Sequence, residues 1–187
     1  TVDLSAFYFD IRKDTLYCDS VDSKKRQSTI ILLNIILNSL LRWFAPILSF
    51  TTEEIYRLIM NNNKSIHLKK FLEFPASFKN KNLNQKWLEL IKIRNICNIS
   101  IEEKRATKEI GSSLEANLKI NLDKKLMDIS KDVDFSELCI TSSAKVSYLE
   151  NSETKVQTTK AEGSKCQVCW KITKEACSRK TCPKHVE

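Results

Sequence analysis

The hydrophobic pattern runs with two periods. Through the first part of the chain, apolar residues recur every three or four positions, the spacing that lines up one face of an α-helix. Leu4, Phe7, Tyr8, Ile11 and Leu16 predict an amphipathic helix ending near Cys18, then a loop over 19–22. A long helix is expected over 23–44, with Asp22 or Ser23 as its N-cap and Ile30, Leu33, Ile36, Leu37, Leu40 and Leu41 as its apolar face. Lys24, Lys25 and Arg26 open it against the polarity of the helix dipole. Ala45-Pro46 closes it, because a residue preceding proline avoids helical geometry. Thr51-Thr52-Glu53-Glu54 has the form of a capping box, so a helix through Met60 is expected, stopped by Asn61-Asn62-Asn63. Residues 65–81, with Pro75, Phe71, Phe74 and Phe78, read as irregular. Over 84–105 another long helix is expected, with Trp87, Leu90, Ile91, Ile93, Arg94, Cys97 and Ile101 close to one face.

At Gly111 the period changes. Leu114, Ala116, Leu118, Ile120 and Leu122 alternate with Glu115, Asn117, Lys119 and Asn121, the signature of a strand with one buried face. A short helix is expected over 124–129, and further strands over 135–140 and 144–149. Residues 151–162 are polar and read as a linker ending at Gly163. The expected fold is therefore mainly α: a helical domain over 1–110, a small α+β junction over 111–162, and a knuckle over 163–187 too short to hold an apolar core.

Composition narrows the class. Two glycines and three prolines in 187 residues exclude a collagen-like or turn-dense β chain, and 42% hydrophobic residues suffice for a core. No uninterrupted apolar run approaches the roughly 20 residues of a membrane span, since Asn34 and Asn38 break the longest clusters, and no signal peptide is legible, so no membrane partner is expected. Thr1 in place of an initiator methionine suggests a portion of a longer chain. The net charge of +8 fits a polyanionic partner, with nucleic acid first among them. Cys18, Cys97 and Cys139 are scattered and read as reduced thiols of a cytoplasmic protein.

The remaining cysteines crowd the end. Cys166, Cys169, Cys182 and His185 form C-x2-C-x12-C-x2-H, a spacing that wraps two ligand pairs around one tetrahedral zinc ion. In so short a piece, metal binding would supply the folding energy. Cys177 is an alternative ligand in place of His185 or Cys182. A redox dithiol at Cys166 and Cys169 would need a thioredoxin-like strand–helix context, which the pattern lacks. Residues 155–187 carry a net charge of +5, and Trp170 beside Lys171 offers either a stacking surface for an unpaired base or a cover over the metal turn. Lys92, Arg94 and Arg105 on the long helix expected over 84–105 are the other candidate nucleic-acid contacts. No catalytic residue is nominated: His67 has no paired acid or nucleophile motif.

Three blocks carry a family resemblance. Leu4-Ser5-Ala6-Phe7-Tyr8-Phe9-Asp10-Ile11-Arg12-Lys13-Asp14-Thr15-Leu16-Tyr17-Cys18-Asp19 closely resembles a segment of bacterial isoleucyl-tRNA synthetases. Trp43-Phe44-Ala45-Pro46-Ile47-Leu48-Ser49-Phe50-Thr51-Thr52-Glu53-Glu54 is similar to that family's W-x-A-P-x-L-x-F-T-x-E-E, a block shared more loosely with related class I synthetases. Lys104-Arg105 through Ile110-Gly111-Ser112-Ser113-Leu114-Glu115-Ala116 looks like its K-x-I-G-S-S-L-E-A block. The terminal cysteines fall where the family carries a C-terminal zinc site, although His185 stands where a second Cys-x-x-Cys would end. The resemblance implies an anticodon-binding helical domain with a C-terminal extension touching the anticodon stem and loop of isoleucine tRNA, acting as a monomer with one structural zinc. It implies that ATP and Mg belong only to the full-length ligase, whose catalytic and editing domains would be partners within the same polypeptide. No H-x-G-H or K-M-S-K-S signature occurs, so this portion alone is expected to be inactive. The alternative is a non-enzymatic zinc-bearing adaptor that binds a protein, which predicts little salt-dependent RNA affinity.

Overall fold

The computed structural model describes residues 2–60, 64–150 and 154–174. These divide into two compact units: one from residues 1–20 and 80–187, the other from Val21–Lys79.

In the first unit, Val2–Phe9 is wound as a π-helix that runs without a break into α1 (Asp10–Cys18). A further helix of the same unit, Lys81–Ala106, begins where Asn80 caps the Leu83 N–H at 2.9 Å. It buries Leu90, Ile93, Cys97 and Ile101, a 3-4-4 spacing that keeps one stripe facing inward. Strand β1 (Ala116–Leu122) follows, with Ala116, Leu118, Ile120 and Leu122 each at 1% exposure or less. Burying a leucine or isoleucine of this kind contributes about 1.5–3 kcal/mol. Strand β2 (Ser143–Tyr148) lies parallel to β1 and β3 (Lys155–Lys160) antiparallel, giving the order β2-β1-β3. The register pairs Ile120 with Val146 and Val156, so one sheet face packs on the helices. Thr158 is buried on that face, and its hydroxyl shares a 2.7 Å bond with Ser100 of the Lys81–Ala106 helix. Cys97 and Cys139 meet in the same core. A hydrogen bond with Cys97, together with burial, holds the Cys139 thiol far above its ordinary pKa, so this thiol is inert packing.

The second unit contains α2 (Lys24–Phe44), α3 (Ser49–Met60) and two 3-10 turns, Ile66–Leu68 and Ala76–Phe78. Ser23 caps α2 by accepting from the Arg26 N–H. The core of this unit is small: Leu41, Ala45, Tyr56 and Ile66, flanked by Leu37 and Ile55. Glu53 fastens it, accepting from the Ile66 N–H at 2.9 Å, the Ser65 hydroxyl at 2.9 Å and Arg57 Nε at 2.7 Å.

Several expectations are corrected. Helix α3 starts at Ser49, and Thr52 bonds back to the Leu48 carbonyl, so Thr51 lies inside the first turn and the expected capping box does not form. Helix α2 ends at Phe44, but Ala45 keeps helical angles (φ −52, ψ −40) before Pro46. The bias against helix before proline is steric and modest, and a proline entering a turn needs no N–H. Ile30 is exposed, although the pattern put it on the buried face, because a unit of this size offers α2 too little surface to cover the whole stripe. By length and composition α2 is also long and apolar enough to cross a membrane, which the uninterrupted-run criterion missed. Residues 135–140 form not a strand but a short helix, α6 (Phe135–Leu138), following α5 (Lys124–Ser130). Asp134 starts α6 by accepting from the N–H groups of Ser136 and Glu137; burial opposes its charge, but these bonds prevail and hold its carboxyl below the ordinary range. The stretch read as a linker contains β3. The expected stop at Asn61-Asn62-Asn63 lies outside the described residues.

Candidate nucleic-acid interface

The end of the first unit is a tight hairpin. Strands β4 (Ser164–Lys165) and β5 (Ile172–Thr173) pair antiparallel around a turn over 166–171. Gly163 precedes it at φ +129, where an added Cβ would come within 2.0 Å of the Thr173 carbonyl oxygen, so only glycine lets the two backbones approach. Within the turn, the Cys166 N–H donates to the Lys171 carbonyl at 2.8 Å and the Trp170 N–H to the Cys166 carbonyl at 3.1 Å. The Val168 and Cys169 N–H groups point at Cys166 Sγ, at 3.3 and 3.5 Å. The turn is held from two sides: Ser142 Oγ accepts from the Ile172 N–H at 2.6 Å, and Cys18 Sγ donates to the Val168 carbonyl at 3.7 Å.

The two N–H groups that converge on Cys166 Sγ would satisfy the sulfur of a metal-bound thiolate. Cys166 is fully buried and Cys169 half-buried in the same turn. Cys182 and His185, with the alternative Cys177, lie outside the described residues. Among the described residues, no three His, Cys, Asp or Glu side chains gather into a metal-holding group.

Trp170 sits at φ +61, uncommon for a bulky residue, and its ring is 59% exposed. Lys165 Nζ lies 5.3 Å from the ring centroid. Lys171 is half-buried, its Nζ 3.5 Å from Ser136 Oγ. Beside them, between α1, α6 and the turn, opens a mostly apolar cavity of about 410 Å³ bordered by Ile11, Tyr17, Ile140, Val168 and Trp170. That volume falls in the range of small-ligand sites, about 300–1,000 Å³. Tyr17, 79% exposed, and Trp170 give it two aromatic edges. Arg12 of α1 pairs with Glu137 of α6 at 2.8 Å, which fixes the opposite wall.

The remaining candidates occupy different settings on the Lys81–Ala106 helix, labelled α4 below. Lys92 pairs with Glu89 at 2.9 Å and Arg105 with Glu102 at 2.7 Å, both on the surface. Arg94 is half-buried: its Nε donates to the Leu138 carbonyl at 2.9 Å, and its guanidinium lies 5.1 Å from the Phe7 ring centroid. It therefore joins three elements of one unit, whereas Trp170 and Lys171 share the cavity rim. Tyr17 and Lys13, which also line that cavity, were not singled out by sequence reasoning. Their place on a helix 150 residues before the cysteine turn gives no local signal.

Comparison with known proteins adds a lineage. Residues 1–121 match the family model described as the anticodon-binding domain of tRNA ligase. Isoleucine–tRNA ligase from Pelagibacter ubique is 65% identical over 179 residues, 96% of this chain and 20% of that protein. The enzyme of the same name from Agrobacterium fabrum is 40% identical over 92% of the chain and 19% of its own length. That from Rhodopseudomonas palustris is 38% identical over 91% and 18%. The chain thus spans about a fifth of the length of the curated relatives it matches.

Proposed function

Because the chain belongs to the family of tRNA-ligase anticodon-binding domains, we propose that it is the RNA-gripping portion of an isoleucine–tRNA ligase and holds the anticodon stem-loop of isoleucine tRNA. The observation that carries this reading is the 65% identity over 96% of the chain to a ligase of that specificity. The helical part over 1–110 forms the grip, 111–162 the junction and 163–187 a zinc knuckle. ATP-dependent aminoacylation, with its ATP and Mg, belongs to catalytic domains outside this chain, and proofreading to an editing domain; this portion alone does not aminoacylate. The ligase works as a monomer in the cytoplasm.

The chemistry of the grip follows from the side chains. Lys92 and Arg105 exchange their carboxylate partners for phosphates, an electrostatic contact that weakens with salt. Anticodon bases are unpaired, and one enters the cavity edged by Tyr17 and Trp170, stacking on a ring while Lys171 meets its phosphate. Arg94 serves by fixing α4 to Leu138 and Phe7, so the frame around that cavity stays in place. Cys166 and Cys169 hold one zinc ion with Cys182 and His185, or with Cys177 in place of either. A zinc ion held there would be structural, closing the knuckle and keeping the Trp170 turn rigid.

Binding to transcripts of isoleucine tRNA and of an anticodon-swapped version tests the reading. The swapped RNA should bind about tenfold more weakly, by roughly 1.4 kcal/mol, and both should weaken as salt rises. Equal affinities would remove anticodon reading, and absence of salt-dependent binding would sink the proposal. For the metal, freshly reduced protein should hold about one equivalent of zinc and Cys169→Ser almost none; retention by the variant would exclude this ligand set.

A further inference from the structure

The cysteine turn is seated on the body of its unit by side chains outside the expected ligand set, and Ser142 is the main one. It follows α6, which closes with the Cys139 N–H on the Phe135 carbonyl and the Thr141 N–H on the Ser136 carbonyl. Ile140, between those two donors, takes φ +55, a left-handed angle that a β-branched residue rarely accepts and that glycine usually supplies at a helix end. The reversal at Ile140 leads the chain straight from α6 toward β2 and sets the Ser142 N–H on the Ala116 carbonyl at 3.1 Å. The Ser142 hydroxyl then works in both directions: it donates to the Leu114 carbonyl and accepts from the Ile172 N–H at 2.6 Å. One side chain thus ties the entry to β1 to β5, the strand that leaves the cysteine turn.

Cys18 holds the other side. It ends α1, is 7% exposed, and its Sγ donates to the Val168 carbonyl at 3.7 Å. Val168 is therefore fixed at both ends, because its own N–H points at Cys166 Sγ at 3.3 Å. Lys171 adds a third tether, its Nζ 3.5 Å from Ser136 Oγ of α6. Ser142 lies 30 positions before Ile172, and Cys18 lies 150 before Val168. The direction of the N–H groups that converge on Cys166 Sγ is thus set by elements remote in the chain, not by the turn alone. Partners that orient a ligand in this way tune how tightly it holds an ion.

We infer that Ser142 and Cys18 are positioning residues for metal binding, and that they make the Cys166–Lys171 turn a half-site built before any ion arrives. This rests on the reading that Cys166 and Cys169 hold zinc. It also revises the expectation that metal binding alone folds the knuckle: with this turn already seated on α1, α6 and the start of β1, little of the binding energy is needed to form it. The same seat presents Trp170 at the rim of the cavity.

The test uses the reduced 187-residue chain and its Ser142→Ala, Ser142→Thr, Cys18→Ala and Cys18→Ser variants. Zinc affinity is read by competition with a chromophoric chelator. Ser142→Ala should weaken it by about 10–100-fold, and Ser142→Thr, which keeps the hydroxyl, should bind as the parent does. Cys18→Ala should weaken it by about threefold, because a thiol is a weak donor, and Cys18→Ser should restore it. Loaded with cobalt, parent and variants should show the same thiolate-to-cobalt charge-transfer intensity. A band weaker by one thiolate in Cys18→Ala would make Cys18 a ligand and overturn its positioning role. In the zinc-free parent the Trp170 amide should exchange at least about tenfold more slowly than in the urea-unfolded chain. Exchange at the unfolded rate would show that the turn is not built in advance. Amides of β1 should exchange alike in all the chains, which separates lost positioning from unfolding. If the parent holds zinc and both Ala variants hold it as tightly, the positioning role falls while the zinc reading stands. A parent that holds no zinc overturns both readings together.

Discussion

The two units handle similar apolar sequence in opposite ways. In the sheet-containing unit, Leu90, Leu118, Ile120 and Leu122 are essentially inaccessible, and a second ring of partly buried residues surrounds them. In the unit over Val21–Lys79, only Leu41, Ala45, Tyr56 and Ile66 are buried apolar residues among the described residues, while Ile31, Ile47, Phe50 and Leu58 are more than 60% exposed. The difference is geometric. A sheet face covered by helices closes a core on both sides, whereas two helices and two short turns leave half of each apolar stripe uncovered, and small units bury a smaller fraction of their surface. Apolar periodicity therefore reports which residues share a face, not how much of that face is covered.

Cavity-creating substitutions test this contrast most strongly. Leu118→Ala should destabilise the sheet unit by about 4 kcal/mol, because neighbours fixed in strands cannot collapse into the void. Ile66→Ala should cost the helical unit about 2 kcal/mol, because its thin core can relax toward the deleted volume. Native-state hydrogen exchange, read at amides of β1 and of α3, resolves the two units separately. An Ile66→Ala loss as large as that of Leu118→Ala would break the contrast.

A smaller effect concerns acid. The Ile66 N–H is the largest influence lowering the Glu53 pKa, aided by Ser65 and Arg57, so this carboxyl ionises more readily in the folded unit than in the unfolded chain. Its contribution is full above the ordinary glutamate value and is lost as pH falls through the lowered folded value. Protection of α3 amides should therefore decline from about pH 6 to about pH 3 in the parent chain. In Glu53→Gln that decline should be shallower, and an unchanged pH profile would show that the Glu53 tether does not hold the unit together.

Local rules reached some elements and not others for identifiable reasons. The alternation from Ala116 to Leu122 is complete, and β1 follows it residue by residue. The Asn84–Arg105 pattern located α4 to within three residues at its start. Phe135 to Ile140 is a helix rather than the expected strand because six residues with four apolar side chains fit either, and the deciding feature is the Asp134 cap. Strand β3 was invisible because it covers only Val156 and Thr158, and the buried Thr158 hydroxyl finds its partner in Ser100, 58 positions away. At the candidate site, spacing singled out Cys166 and Cys169, and the Val168 and Cys169 N–H groups directed at Cys166 Sγ place both in one turn. It also marked Trp170 and Lys171, but not Tyr17, whose part in the cavity comes from α1 packing beside the turn.

By itself the sequence determined the helical stripes, the strand alternation, the excess of positive charge and the short-range cysteine geometry, because each depends on residues within one or two turns of one another. The tertiary structure alone decided which apolar stripes are covered, that Arg94 reaches Leu138 and Phe7, and that Lys119 and Lys145 become neighbours on adjacent strands. Those outcomes rest on strand register and helix docking between distant segments, and the energy that selects them is the burial of a shared core rather than any local preference.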